Sequence, residues 1–245
     1  MKREASPKFW PIQRKKFSWA VKPNPGSHPI NRCMPLALIV REMFGFAKTR
    51  REAKKIISQG SIMIDGKILR DDLFPAGLMD VISIHEIKKD YRVLPSKKGL
   101  ILHPISKDEA EFKLCRIENK SLLKNGNIQL NLHDGRNLLI RVRDSQKPEE
   151  DIYRAFDTLK ISLNSREILE HIKMAEGMSA IFIGGDNIGK YGHITSIEKQ
   201  PSQKRKDTLV TIKDGEGETY QTILNYVFVV GNEEPRISLP QMEGR

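Results

Sequence analysis

The chain has 245 residues, of which 38% are hydrophobic and 30% charged, with 42 Lys+Arg against 31 Asp+Glu for a formal net charge of +11 and a pI near 9.6. That length suits two or three domains with real cores. No run approaches the roughly 18 apolar residues of a membrane-spanning helix, and the opening "MKREASPKFW" lacks the apolar centre of a signal peptide, so no membrane partner is expected.

The charge is concentrated. Residues 1–60 hold 14 Lys+Arg and 3 Asp+Glu, while residues 61–245 hold 28 of each, so the whole excess lies in the first quarter of the chain. A basic block of this kind reads as a docking surface for a polyanion rather than a general solubility device. The two cysteines, Cys33 and Cys115, belong to no Cys-x-x-Cys pair. A structural zinc is therefore not expected, and two reduced thiols are favoured over a lone disulfide.

Residues 1–34 combine cations, aromatics and prolines at 7, 11, 23, 25 and 29, which deny the segment a long helix. It shows little apolar periodicity and no independent core is expected of it. Phe9, Trp10, Phe17 and Trp19 interleaved with Arg14, Lys15 and Lys16 suit a segment that orders on RNA, with rings stacking on bases. The same rings would equally serve by packing back on the body of the protein. In "PLALIVREMFGF", Leu36, Ile39, Val40 and Met43 form an i, i+3, i+4, i+7 stripe, predicting a helix with Pro35 in its first turn and Gly45 as its stop.

Thr49 then predicts an N-cap, and Glu52, three residues on, completes a capping box. Ala53, Ile56 and Ile57 mark the inward face of this second helix, and Gly60 its end. Arg51, Lys54 and Lys55 fall at i, i+3, i+4 and form one outward cluster. "SIMIDGKIL" predicts a strand with Ile62 and Ile64 on one side and a turn at Asp65-Gly66, and "DVISI" a further strand. From about residue 95 the pattern is all-β, with hairpin turns expected at Asn125-Gly126 and Asp134-Gly135. "EILEHIKM" fits either a strand or a short helix. "GMSAIFIGGDNIGKYGHITSIEKQ" predicts a small barrel with a Gly-rich loop at its edge, and the last residues a surface tail.

Thr49 to Ala53 ("TRREA") and Gly60 to Lys67 resemble the small αL-type RNA-binding module of ribosomal proteins and RNA-modifying enzymes. Gly184-Gly185 and Gly189-Lys190-x-Gly192, within residues 177–197, resemble the KOW motif. Pro7–Trp10, Arg32–Leu36, Ile64–Lys67, Pro75–Ile84, Phe112–Ile117, Gly184–Thr195 and Ile237–Pro240 together resemble, in order and over nearly the whole length, the archaeal and eukaryotic family of small-subunit ribosomal protein four. The resemblance implies an α+β multidomain chain. Its parts are a basic N-terminal arm (1–35), a helix-helix-β RNA-binding module (36–92), a central β domain (93–173), an SH3-like KOW β-barrel (174–232) and a C-terminal tail (233–245). It also implies a structural component of the cytoplasmic small subunit, with 16S ribosomal RNA and neighbouring small-subunit ribosomal proteins as partners, and no cofactor or small-molecule substrate.

RNA recognition asks for cations at phosphates and planar or polar groups at sugars and bases. Arg50 and Arg51 can each fork onto a phosphate, at a helix N-terminus whose free N–H groups favour the same anion. Lys54 and Lys55 extend the patch by one turn, and Lys67 follows the Asp-Gly turn. Trp10, Arg14, Lys15, Lys16, Trp19, His28, Arg32, Lys48, Thr49 and Lys190 complete the candidate RNA contacts. Catalysis finds no support. The histidines show no HExxH spacing, there is no Gly-x-Ser-x-Gly elbow, and "GGDNIGKYG" lacks the Gly-Lys-Ser/Thr ending of a phosphate loop. An RNA-modifying enzyme would need a catalytic Asp motif and a large catalytic domain. A KOW-bearing transcription or translation factor would lack the arm.

Overall fold

The structure, a computed structural model, describes residues 1–144, 149–198, 208–215 and 217–240. It is mostly β, with few helices, and divides into two compact units, Met1–Lys113 and Leu114–Arg245.

In the first unit the N-terminal residues fold on themselves. The amide of Arg3 donates to the Ser18 carbonyl (2.9 Å) and that of Ala20 to the Met1 carbonyl (2.9 Å). Strand β1 (Cys33–Pro35) leads into α1 (Leu36–Leu38), which continues without a break as a π-helical turn, Ile39–Met43. Pro35 therefore caps this helix and does not enter its first turn. The second helix, α2 (Arg50–Ser58), starts at Thr49 through a complete capping box. Strands β2 (Ile62–Ile64) and β3 (Lys67–Ile68) form a hairpin whose turn, Asp65-Gly66, has both residues at positive φ (49° and 75°). The primed turn matches strand twist, which is why Asp-Gly stands there.

β4 (Pro75–Gly77) pairs with β1. β5 (Val81–Ile84), β6 (Lys89–Ser96) and β7 (Gly99–Ile105) complete an antiparallel sheet of order β3-β2-β5-β6-β7. Leu36, Ile39, Val40, Ala53, Ile57, Ile62, Ile64, Ile82 and Val93 share one core, so helix stripe and strand alternation meet on the same side. Trp10 and Val21 are members of that core.

Among its described residues, the second unit holds two antiparallel sheets. One, of order β10-β9-β8-β11-β12, is built from β8 (Phe112–Leu122), β9 (Ile128–Leu132), β10 (Asn137–Ile140), β11 (Thr158–Ser162) and β12 (Ile168–Ile172), and buries Cys115, Ile117, Leu130, Leu159 and Ile161. "EILEHIKM", open between strand and helix in the sequence, is a strand. Asn125-Gly126 and Gly135 lie at positive φ in the two hairpin turns. The other sheet, of order β16-β15-β14-β13-β17, comprises β13 (Ser179–Phe182), β14 (Tyr191–Glu198), β15 (Leu209–Lys213), β16 (Thr219–Ile223) and β17 (Val227–Gly231), with a short 3-10 turn, Leu224–Tyr226, before its last strand. Cys33 and Cys115 are both buried and are not joined in a disulfide. Burial, reinforced by the nearby Asp80 carboxylate, pushes the Cys33 thiol up to about 12.

Candidate nucleic-acid interface

Helix α2 separates its residues cleanly. Ala53 and Ile57 are fully buried, while Thr49, Arg51, Glu52, Lys54, Lys55 and Ser58 line a shallow surface depression on the opposite side. The cap orders the entrance to that face. The Glu52 amide donates to Thr49 Oγ1 (3.3 Å), and Glu52 Oε2 accepts from the amides of Lys48 (2.8 Å) and Thr49 (3.3 Å). These backbone bonds hold the Glu52 carboxyl below its usual range. Three exposed cations thus share one turn and a half of helix, and their mutual repulsion is relieved when an anion docks between them.

The other candidates divide. Arg50 is half exposed, but its Nε and Nη2 both donate to Asp72 Oδ2 (3.1 Å each), so one side of its guanidinium is already taken. Asp72, itself buried, was not singled out in the sequence, because the pair spans 22 residues and neither member carries a local signal. Lys48, Arg32 and Lys67 are exposed, Lys67 on β3 beside the Asp-Gly turn. Lys15 and Lys16 are exposed, and Trp19 is 69% exposed. Lys190, in the second unit, is half-buried with its Nζ 3.8 Å from the centre of the Tyr220 ring.

Two candidates are corrected by burial. Trp10 is only 3% exposed and its Nε1–H donates to the Cys33 carbonyl (2.9 Å), so its ring is a core element and is closed to a base. His28 is buried with its Nε2 2.9 Å from Asp80 Oδ1, again a structural place. Arg14 is half-buried and spends its guanidinium on the carbonyls of Glu4 (3.2 Å), Ser6 (3.1 Å) and Pro7 (2.7 Å), locking the N-terminal loop. In the loop before Lys190, a Cβ at Gly184 would lie 2.6 Å from the Tyr226 ring, so that glycine serves close packing.

Among the described residues, one trio, Cys115, His133 and Asp134, has the donor types of a metal site. Its atoms already have protein partners. The Cys115 thiol donates to Asp134 Oδ2 (3.6 Å), Arg136 Nε lies 3.2 Å from the same oxygen, and His133 Nδ1 accepts from the Arg116 amide (3.1 Å). The arginine neutralises the only carboxylate, and the trio fits a hydrogen-bonded structural cluster.

Comparison with known proteins gives three family matches: the RS4NT (NUC023) domain at residues 1–31, the S4 domain at 34–82 and the Ribosomal family S4e at 87–168. The chain is 50% identical over 242 residues to the small ribosomal subunit protein eS4 of Aeropyrum pernix, covering 98% of this chain and 95% of that protein. It is 51% identical, with the same coverage, to that of Staphylothermus marinus, and 44% identical over 240 residues to that of Methanocaldococcus jannaschii, covering 98% and 96%. The crystal structure of the 30S ribosomal protein S4e from Thermoplasma acidophilum matches with a TM-score of 0.68 at 29% identity, covering 82% of this chain and 96% of that one.

Proposed function

We propose a ribosomal role for this chain on the premise that it belongs to the Ribosomal family S4e, as near-full-length relatives at about half identity show. It is a structural, non-enzymatic component of the small ribosomal subunit in the cytoplasm, and it binds ribosomal RNA. Its RNA is 16S ribosomal RNA, and its protein partners are neighbouring small-subunit proteins.

The observation that carries the RNA contact is the outward face of α2. Arg51, Lys54 and Lys55 line an open depression at a capped helix N-terminus, in the quarter of the chain whose excess of positive charge equals that of the whole. Lys48, Arg50 and Lys67 flank it, with Lys15, Lys16, Trp19 and Arg32 as further contacts and Lys190 as a separate one. The five-stranded sheet ending in β17 is an SH3-like KOW barrel, a reading supported by its antiparallel order and the 3-10 turn before its last strand. The arm, barrel and tail divide at residues 35, 173 and 232, while the module runs past residue 92, through β6 and β7, so that the central domain begins near the end of the first unit at Lys113.

High-salt gradient sedimentation of a lysate tests the role: the chain should migrate with the small subunit, and a wholly free pool would overturn it. The variant Arg51→Ala/Lys54→Ala/Lys55→Ala tests the face. It should weaken binding to 16S ribosomal RNA and flatten the salt dependence by roughly 0.7–0.9 in log–log slope for each phosphate it leaves unneutralised. An unchanged slope would reject this assignment.

A further inference from the structure

Phe46 stands between the end of the first helix and the cap of the second, and its position is built with care. The first helix does not end with an ordinary turn. It widens into a π turn over Ile39–Met43, with the Phe44 amide donating to the Ile39 carbonyl (3.0 Å) and the Phe46 amide reaching back to the Val40 carbonyl (3.1 Å). Such widened turns are rare and concentrate at functional sites. Between the two phenylalanines, Gly45 sits at φ +70°, a conformation that side chains other than glycine's disfavour, and no neighbouring atom crowds it, so the backbone reversal itself requires the glycine. The result is an ordered file of rings. Tyr91 meets Phe44 edge-on, with centroids 5.0 Å apart. Phe44 meets Phe46 in parallel, with centroids 5.1 Å apart and planes within 5°. Phe46 ends the file, 44% exposed.

We infer that Phe46 is a stacking platform for one unpaired base of the bound RNA. Lys48 and the capped N-terminus of α2, with Arg51, follow within five residues of it, so a nucleotide on the ring has cations beside it for its phosphates. A parallel, offset ring pair is the geometry that aromatic surfaces prefer, and a base continues it by the same interaction. An A-form duplex keeps its bases stacked inside, so this surface fits RNA carrying a bulged or looped-out nucleotide and a helix would pass it by. The inference rests on the basic face being the RNA contact and specifies which kind of RNA element that face receives.

The test uses the full chain and 16S ribosomal RNA stripped of protein. Phe46→Leu should bind about tenfold more weakly, while Phe46→Trp, which restores a ring, should bind as the parent does. Ultraviolet irradiation of intact small subunits should cross-link the peptide containing Phe46 to a single unpaired nucleotide. Undiminished binding by the leucine variant, equal losses in the leucine and tryptophan variants, or a cross-link to protein would each overturn the inference. The Arg51→Ala/Lys54→Ala/Lys55→Ala variant separates the two readings. If it loses affinity while Phe46→Leu does not, the basic face stands and the stacking falls. If it binds normally, the face itself falls.

Discussion

Asp80 sits at the centre of a buried ionic network. Its Oδ1 meets both His28 Nε2 (2.9 Å) and the Lys113 ammonium, its Oδ2 accepts from the Gly77 amide (2.8 Å), and Lys113 also donates to Asp65 Oδ2 (2.8 Å). Burial alone would raise the Asp80 carboxyl, but Lys113 and His28 override it and hold the group far below the usual carboxylate range. A carboxyl lowered by folding contributes stability that is present above its unfolded value, about 3.9, and is lost as pH falls through the folded value. Stability should therefore decline progressively below about pH 4. Asp80→Asn takes a carboxylate from the buried Lys113 ammonium and changes the hydrogen-bond partner of His28, and should cost roughly 3 kcal/mol at neutral pH, while removing part of the acid slope. Urea unfolding of parent and variant at pH 7 and pH 3 measures both. The members of this network lie between residues 28 and 113, and no local pattern announces such a partnership. For the same reason the sequence counts Trp10, His28 and Arg14 among the candidate RNA contacts, with packing back on the protein an equal alternative for Trp10, whereas the fold spends them on Cys33, Asp80 and the N-terminal carbonyls.

At the scale of elements, what depends on neighbours within a few residues was legible. The capping box at Thr49 and Glu52 and the turns at Asp65-Gly66 and Asn125-Gly126 are set by local backbone chemistry, and they stand where the sequence puts them. The outward placement of Arg51, Lys54 and Lys55 followed from helical spacing alone. The π turn was not legible, because a Leu36–Met43 stripe fits an α-helix and a widened turn equally well over so short a run. Thr49→Ala removes the acceptor for the Glu52 amide and should cost about 1 kcal/mol. Chemical denaturation reads that loss. The same variant should also weaken RNA binding by less than the triple cation variant does, because the cations remain.

For the whole molecule, the asymmetry of charge decides where salt acts. Residues 61–245 balance to zero, so ionic strength should tune RNA affinity almost wholly through the first unit. Neutralising Lys190 in the second unit should move the salt slope by no more than about one phosphate's worth, a difference that filter binding across a salt series resolves. The ordered N-terminal residues also change what assembly asks of the chain. With Trp10 and Val21 already in the core, those residues enter a complex without the ordering cost a free arm would carry.

The His28 ring lies where any side chain on Gly77 would stand, since a Cβ there would come within 2.4 Å of it. Neither position is free to vary by itself: a larger residue at 77 requires a smaller one at 28, and a smaller residue at 28 strips Asp80 of a partner. The N-terminal segment and the RNA-binding module are therefore sterically coupled at this pair. A chimera that grafts the segment of one relative onto the module of another should fold only when the two donors agree at this pair.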